Sequence, residues 1–321
     1  MDKFDDEIRS ILGKIHELGF IRVECGRLTL VVPPALNVWT SGRWEPTITY
    51  LLHYAERNPN WSGEFFVCIY DGWREYTIHV PEHERNYVPW SEVDQDAFLG
   101  AGLAKEPRFM HKHSDLRLWP VLPRQVIAYN RHLNDKNVIL IPDAEFLSTR
   151  FVPFTDQVKA SDIAFTGKLS KIVWRGSRVG FAEASHYCKV PSPNRSREMA
   201  VLASLGCEYI DASFEPKPVS WMLRHKYILD IDGTVNAWSG LFWKLSSNSV
   251  ILKVSSHWEQ WYYNRLVPHK MYIPVDDFDD LKSILHYCEQ NPSLCESLTY
   301  HAKEFVATLT YRFALEQYSL R

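Results

Sequence analysis

The chain has 321 residues, of which 45% are hydrophobic and 23% charged, and its net charge at pH 7 is −3. These values are typical of a globular protein of two ordinary domains, and the absence of a basic surplus gives no support to a nucleic-acid partner. None of the six cysteines forms a CxxC pair, and the N-terminal segment has no long apolar core. We therefore expect a reduced, cytoplasmic protein without a signal peptide or membrane span. An apolar helical face near the N-terminus favours docking onto the body of the protein, and the alternative is peripheral contact with the inner face of a membrane.

The first half of the chain alternates between short strands and one clear helix. The predicted elements are a strand pair over residues 21–32 around Cys25-Gly26, a helix over 46–57, and strands over 65–70, 126–129 and 138–141. Periodicity fades between residues 153 and 168. We place a boundary there and expect two domains, residues 1–160 and 161–321.

The second half alternates strands and helices more regularly, which predicts an α/β domain with a parallel sheet. The predicted strands are 171–174, 208–210, 228–231, 249–254 and 272–275, and the predicted helices are 197–205, 240–245, 281–289 and, in two pieces, 292–318. The carboxyl ends of parallel strands meet at one edge of a sheet, where ligands commonly bind.

Residues 227–254 are the most informative segment: a buried strand, a polar loop, a short helix and a second buried strand. Ser239 stands at the N-cap position of the helix, whose backbone N–H groups suit a phosphate. Plain scaffold is the alternative interpretation of such a unit. The candidate ligand contacts in it are Asp232, Asn236, Trp238, Ser239, Gly240 and Lys244.

Arg175, Gly176, Ser177 and Arg178 follow the predicted strand 171–174. Glycine allows close backbone approach, serine offers a hydroxyl, and guanidinium groups grip phosphate in bidentate fashion. A solvated turn is the alternative. Because this loop and the 227–254 unit occupy equivalent strand ends in one half of the chain, together they favour a diphosphate site.

Three acidic or histidine patterns could hold a metal or move a proton. Asp230-Ile231-Asp232 matches a DxD pattern, which can hold Mn²⁺ or Mg²⁺ against a diphosphate, although arginines and Lys244 could neutralise that charge without a metal. His111, His113 and Asp115 alternate, but no strand is evident there, and we interpret them as surface or packing residues. Asp71 lies just beyond the predicted strand 65–70 and suits a general base. The alternative is that its carboxylate accepts hydrogen bonds from the backbone of its own turn.

The chain's 12 tryptophans mildly favour a carbohydrate-facing surface.

Five segments occur in an order that resembles the family 90 glycosyltransferases. They are Val173 to Arg178, Arg197 in a helix, His225 to Gly233, Ser249 to Lys253 and Met271 to Val275. This family includes capsule-associated proteins, LpsA-type lipopolysaccharide transferases and Rumi-type protein O-glucosyltransferases. The resemblance covers roughly residues 63–313 and is strongest between residues 171 and 275.

The resemblance implies a GT-B fold, in which two Rossmann-like domains face each other across a cleft and the C-terminal helix crosses back to the first domain. It implies an acceptor-side first domain, a nucleotide-sugar-binding second domain, a UDP-sugar donor, no metal or other cofactor, and inversion at the anomeric carbon. It also implies that Asp71 is the catalytic base and that the loop from Arg175 to Arg178 holds the donor diphosphate.

One departure from the Rumi-type members bears on the acceptor. Those members carry a diphosphate-binding arginine where this chain has Gly240 or Leu241, and Lys244, one turn on, could take its place. The segment looks more like the LpsA-type branch, which favours a glycan, lipopolysaccharide or capsule acceptor. The alternatives are a protein O-glucosyl- or xylosyltransferase, a non-catalytic carbohydrate-binding protein, and a metal-dependent GT-A transferase built on Asp230 and Asp232.

Overall fold

The computed structural model describes residues 6, 8–9, 12, 18–34, 41–69, 124–133, 137–177, 196–233, 236–256 and 258–317. Asp71, Arg178 and the alternating set His111, His113 and Asp115 lie outside these ranges. The expectations attached to them therefore stay predictions.

The first sheet combines an antiparallel edge with a parallel half. Its strands are β1 (Leu18–Glu24), β2 (Arg27–Val32), β3 (Gly63–Cys68), β4 (Val126–Ala128) and β6 (Val138–Leu140), while β5 (Asn130–His132) pairs elsewhere. The order is β2-β1-β3-β4-β6; β1 is antiparallel to β2 and β3, and β3, β4 and β6 run parallel. Cys25 (φ 49°) and Gly26 (φ 75°) form the two-residue turn that the predicted strand pair requires. Because such a turn joins only antiparallel strands, this edge differs from a fully parallel Rossmann-like sheet.

Within the described ranges, the helices with defined bounds beside the first sheet are α1 (Trp44–Arg57), α2 (Ala144–Thr149) and α3 (Val152–Ser161). The sequence predicted only α1, which buries one face through Tyr50, Leu51 and Tyr54. Asp143 caps the N-terminus of α2, since its carboxylate accepts hydrogen bonds from the backbone N–H groups of residues 145 and 146 at 3.0 and 3.1 Å.

The second sheet is entirely parallel, as the sequence predicts, in the order β12-β10-β9-β7-β8. Its strands are β7 (Leu169–Arg175), β8 (Ile210–Ser213), β9 (His225–Asp230), β10 (Val250–Val254) and β12 (Ile273–Val275), while β11 (Trp258–Gln260) pairs antiparallel with β5. Strand β8 begins where the predicted strand 208–210 ends, because Ile210 and Ala212 are the residues that alternate into the core.

The helices in the described part of the second half are α4 (Ser196–Ser204), α5 (Val219–Met222), α6 (Gly240–Leu245), α7 (Leu281–Gln290), α8 (Pro292–Thr308) and α9 (Tyr311–Gln317). The last of them returns to the first half, where Tyr50 Oη donates to the carbonyl of Ala314 at 2.9 Å. Tyr311 Oη and His53 Nδ1 lie 2.8 Å apart. A C-terminal helix that crosses back makes contacts of this kind. No helix in the described part of the chain is both long and apolar enough for a bilayer span.

One apolar cluster joins elements from both halves. Phe151 and Phe242 have ring centroids 4.8 Å apart, and those of Phe146 and Trp261 lie 4.9 Å apart. The same cluster includes core residues of both sheets. The domain boundary near residue 160, which falls in the last turn of α3, stays a prediction.

A buried lysine stabilises the amino edge of the second sheet through hydrogen bonds. The side chain of Lys168 has 0% exposure, and its ammonium bonds to the carboxylate of Asp162, to the carbonyl of Leu223 and, at 3.0 Å, to Ser249 Oγ. The other oxygen of Asp162 accepts from the backbone N–H of Asn248 at 2.6 Å. This network ties the segment after α3 to the starts of β7, β9 and β10.

Candidate functional site

A cleft of about 410 Å³ opens at the carboxyl edge of the second sheet. Its volume lies in the range of roughly 300–1,000 Å³ that is typical of small-molecule sites, and its position is the usual one in α/β sheets. Eight of the residues predicted from sequence line it together: Arg175, Gly176, Ser177, Asp232, Asn236, Trp238, Gly240 and Lys244. Ser239 is buried beside them. Their contact with a ligand stays a prediction.

A network of two acids and two lysines lies at the floor of the cleft, where Asp230, Asp232 and Lys244 line it and the second lysine lies behind them. Lys244 Nζ donates to Asp230 Oδ1 at 2.7 Å. Lys253, which the sequence analysis did not select, lies 3.5 Å from Asp230 Oδ2 and 3.8 Å from Asp232 Oδ1. Because a lysine inside an otherwise apolar strand is unusual, the sequence of β10 could have indicated that Lys253 has a buried, charged partner.

The two acids of this network have opposite pKa shifts. Burial alone would raise the pKa of Asp230, but the ammonium groups of Lys244 and Lys253 outweigh it and hold that pKa below its usual value. Burial raises the pKa of Asp232, since Lys253 and the hydroxyl of Ser256 only partly offset it. The two lysines therefore hold the pKa of Asp230 below that of Asp232.

Arg175 is already engaged by the protein. Its Nη2 donates to Asp211 Oδ1 at 2.6 Å and its Nη1 to the carbonyl of Asp211 at 2.7 Å, while the guanidinium stacks on Trp221 at 4.3 Å. Its Nε is buried and finds no hydrogen-bond acceptor among the described residues. The partner Asp211 comes from β8, which the linear pattern around Arg175 could not indicate. Gly176 is required locally, because a Cβ there would lie 2.5 Å from the ring of Trp174.

Arg197, in the first turn of α4, joins the two loops that form the cleft. Its Nε donates to the carbonyl of Asp232 at 2.7 Å and its Nη1 to the carbonyl of Ser177 at 2.6 Å. Arg197 also lines the cleft. The sequence analysis named it only within the ordered series of segments and did not place it in the site.

Helix α6 starts where the sequence predicts, but its N-terminus differs from the expectation. Ser239 occupies the N-cap position with helical angles (φ −67°, ψ −7°), and its side chain makes no capping hydrogen bond within the described structure. Its backbone N–H donates to Glu145 Oε2 at 3.4 Å. The helix is only six residues long, so its dipole offers less to an anion than a longer helix would.

Trp238 forms a wall of the cleft in a strained conformation, with φ at +80°. The guanidinium of Arg43 lies 4.4 Å above its ring, and Arg43 Nη1 donates to the carbonyl of Ile69 at 3.2 Å. In the sequence, Asp71 follows Ile69 by two residues. Arg43 thus connects the cleft wall to the end of the strand that precedes the predicted base.

Asn236 presents a buried acceptor at the cleft. The side-chain Nδ2 of Asn236 donates to the carbonyl of Trp258 at 2.6 Å, and the backbone carbonyl of Asn236 accepts from Gln260 Nε2. Its Oδ1 has no hydrogen-bond donor in the part of the chain that the structure describes. A ligand hydroxyl or N–H group could satisfy this oxygen. Across the described ranges, no group of three or more His, Cys, Asp or Glu side chains is arranged to hold a metal ion.

Comparison with known proteins identifies the family. The model of Glycosyl transferase family 90 matches residues 150–318, just over half of the chain, and this region contains the cleft. An 88-residue segment, 26% of the chain, is 33% identical to the uncharacterized protein 035R of Invertebrate iridescent virus 3 and spans 8% of that protein. The solved structure of sucrose-phosphate synthase from Thermosynechococcus elongatus is similar at a TM-score of 0.35 and 9% identity, over 84% of this chain and 70% of that one. The chain belongs to glycosyl transferase family 90.

Proposed function

We propose that the chain is an inverting glycosyltransferase that moves glucose or a related sugar from a UDP-sugar to a hydroxyl of a glycan, lipopolysaccharide or capsule acceptor. The observation that carries this proposal is the cleft at the carboxyl edge of the second sheet, inside the region matched by the family. We propose a GT-B arrangement, in which this cleft faces an acceptor-side domain, and a cytoplasmic site of action at the inner face of a membrane.

Binding of the donor diphosphate is assigned to Arg197, Lys244 and the loop from Arg175 onward. Lys244 uses one of its three N–H donors on Asp230 and borders the cleft, so it can donate another to a phosphate oxygen. Arg197 already points donors at the two cleft-forming loops. The proposal requires no metal, because these cations offset the charge that develops on departing UDP.

Asp71 is assigned as the general base. As the acceptor oxygen attacks the anomeric carbon, Asp71 takes its proton, and the bond to UDP breaks on the opposite face of the sugar. Asp71→Asn should therefore retain UDP affinity and lose about 10²–10⁴ in kcat. Near-normal turnover in this variant would remove Asp71 from the mechanism.

A panel of nucleotide sugars tests the proposal most simply. A donor at about 100 times its dissociation constant should stabilise the protein by ~2.7 kcal/mol, which a thermal-shift assay detects. UDP-hexoses and UDP-pentoses should raise Tm, whereas GDP- and ADP-sugars should not. The absence of a shift with every UDP-sugar, at millimolar concentration, would contradict the donor assignment.

A non-catalytic carbohydrate-binding protein is the second candidate. It is favoured by the internal engagement of Arg175 with Asp211 and of Lys244 with Asp230, together with the absence of an arginine at Gly240 or Leu241. This candidate predicts that free oligosaccharides raise Tm while UDP and UDP-sugars have no effect. The proposed transferase predicts stabilisation by UDP itself.

A further inference from the structure

Lys253 lies directly behind the two acids of the cleft. It is the fourth of the five residues of β10, and it is 6% exposed. Its ammonium lies between the carboxylates of Asp230 and Asp232, at 3.5 and 3.8 Å, and 5.1 Å from the centre of the Tyr263 ring. It does not line the cleft, so any effect on a ligand passes through the acids.

Strand register places these three side chains together. Lys253 is the direct partner of Asp230 in the parallel pair β9–β10. Two carboxylates that converge on one positive charge form the arrangement in which an Asp-x-Asp pair holds a divalent cation. In this chain a lysine ammonium occupies that place.

Lys253 supplies one of the two ammonium charges that face the two carboxylates of the network. Asp230 and Asp232 face Lys244 and Lys253, and Asp230, Lys244 and Lys253 are each less than 10% exposed. Removal of Lys253 would leave a buried excess of negative charge, which is costly in itself and would repel a diphosphate in the cleft.

We propose that Lys253 is a positioning residue that serves as a built-in cation. It holds Asp230 and Asp232 in their orientation at the cleft floor and keeps this pair closed to a divalent metal. The inference deepens the proposed function and rests on it, since the pair lies in the cleft assigned to the donor.

A Mn²⁺ titration followed by the EPR signal of the free ion tests the inference. Wild type and Lys253→Arg should bind no Mn²⁺ at this pair. Lys253→Ala should gain one Mn²⁺ per chain, and the double variant with Asp232→Asn should lose it again. Mn²⁺ binding by wild type that Asp232→Asn abolishes would overturn the inference, as would a folded Lys253→Ala that binds none.

A melting experiment keeps the inference testable if Lys253→Ala does not fold. Lys253→Met should lower Tm far less when combined with Asp232→Asn than when introduced alone, because the double variant has no uncompensated charge. An equal decrease in both backgrounds would overturn the inference. Neither experiment requires turnover. A chain that transfers no sugar would therefore contradict the proposed function, while the Mn²⁺ titration and the melting comparison could still be interpreted.

Discussion

The two edges of the second sheet each contain a buried lysine, and the two lysines differ in what they contact. At the amino edge, Lys168 is saturated by one carboxylate, one carbonyl and one hydroxyl. At the carboxyl edge, Lys253 is shared by two carboxylates that border the cleft. Burial lowers the pKa of Lys168, and Asp162 only partly offsets it. Burial acts on Lys253 too, but Asp232 and Asp230 outweigh it and raise its pKa.

This difference separates a structural network from a ligand-responsive one. The amino-edge network is complete within the protein, so a ligand has nothing to add to it. The carboxyl-edge network borders a cleft where the Oδ1 of Asn236 and the Nε of Arg175 have no partners among the described residues. We therefore expect variants at the amino edge to change stability alone, and variants at the carboxyl edge to change ligand affinity.

Lys168→Met should have the largest effect on stability. It leaves Asp162 as a buried carboxylate without its ammonium partner, which typically costs about 3–5 kcal/mol in the free energy of unfolding. Urea unfolding measures this loss, and UDP affinity should be unchanged. The control is Lys159→Met, since that side chain is 77% exposed and its loss should cost about 0.5 kcal/mol or less. A large loss of UDP affinity in the folded Lys168→Met protein would erase the distinction between the edges.

Arg197→Met should instead reduce activity with the donor and change stability little. It removes the donors that join Ser177 to Asp232 at the cleft, and kcat/KM should fall by about 10²–10³ because a preorganised charge is lost. Steady-state kinetics with the best UDP-sugar measures the decrease, and Arg312→Met on the exposed face of α9 is the matched control. Unchanged kcat/KM would place Arg197 outside the donor site.

Gly240→Arg should increase UDP affinity. A Cβ at residue 240 meets no described atom within 4 Å, so the cleft can accept the arginine that Rumi-type members carry near this point. A charge-assisted hydrogen bond to phosphate is worth about 1.5–3 kcal/mol, which predicts at least about a tenfold gain. Gly240→Gln is the uncharged control, and calorimetric titration with UDP is the measurement. Equal affinities in the two variants would argue that no phosphate lies at the start of α6.

Asp143→Asn should have the smallest effect at low pH, where the wild-type carboxyl is uncharged like the amide, and an effect that grows as the pH rises. Burial raises the pKa of Asp143 from 3.8 to about 7. Because the folded state holds the proton more tightly, this carboxyl stabilises the fold most below pH ~4, and that contribution is lost as the pH rises to about 7. Wild type should therefore lose stability relative to Asp143→Asn over this window, by at most about 1.4 kcal/mol per pH unit. Parallel unfolding curves for the two proteins from pH 4 to 7 would contradict the prediction.

The sequence predicted the second sheet better than the first half of the chain. Apolar runs that stop at Asp232-Gly233 or Arg175-Gly176 mark buried parallel strands, and α6 was placed to the residue. Helices α2 and α3 were missed because Arg150 and Phe151 both adopt positive φ between them and interrupt the period. Moreover, α3 buries only Val158, which leaves little amphipathic signal.

The sequence predicted many of the residues that line the cleft, but it did not predict which side chains pair with each other there. Glycines, arginines and the loop after β9 were recognisable because each type has a physical reason to lie near a phosphate. The pairings of Arg175 with Asp211 and of Lys253 with Asp230 depend on strand order and register, which short-range patterns do not contain. The sequence therefore predicted Lys244 as an anion-binding amine and did not indicate that Asp230 would engage it.

Calorimetric titration of UDP into wild type and into Arg197→Met, Lys253→Met and Lys168→Met is the most direct test of the central claim, that the carboxyl edge of the second sheet binds the donor. The account predicts one UDP per chain in wild type, much weaker binding in the two carboxyl-edge variants, and wild-type affinity in folded Lys168→Met. Absence of UDP binding to wild type, or equal affinity in all four proteins, would contradict it.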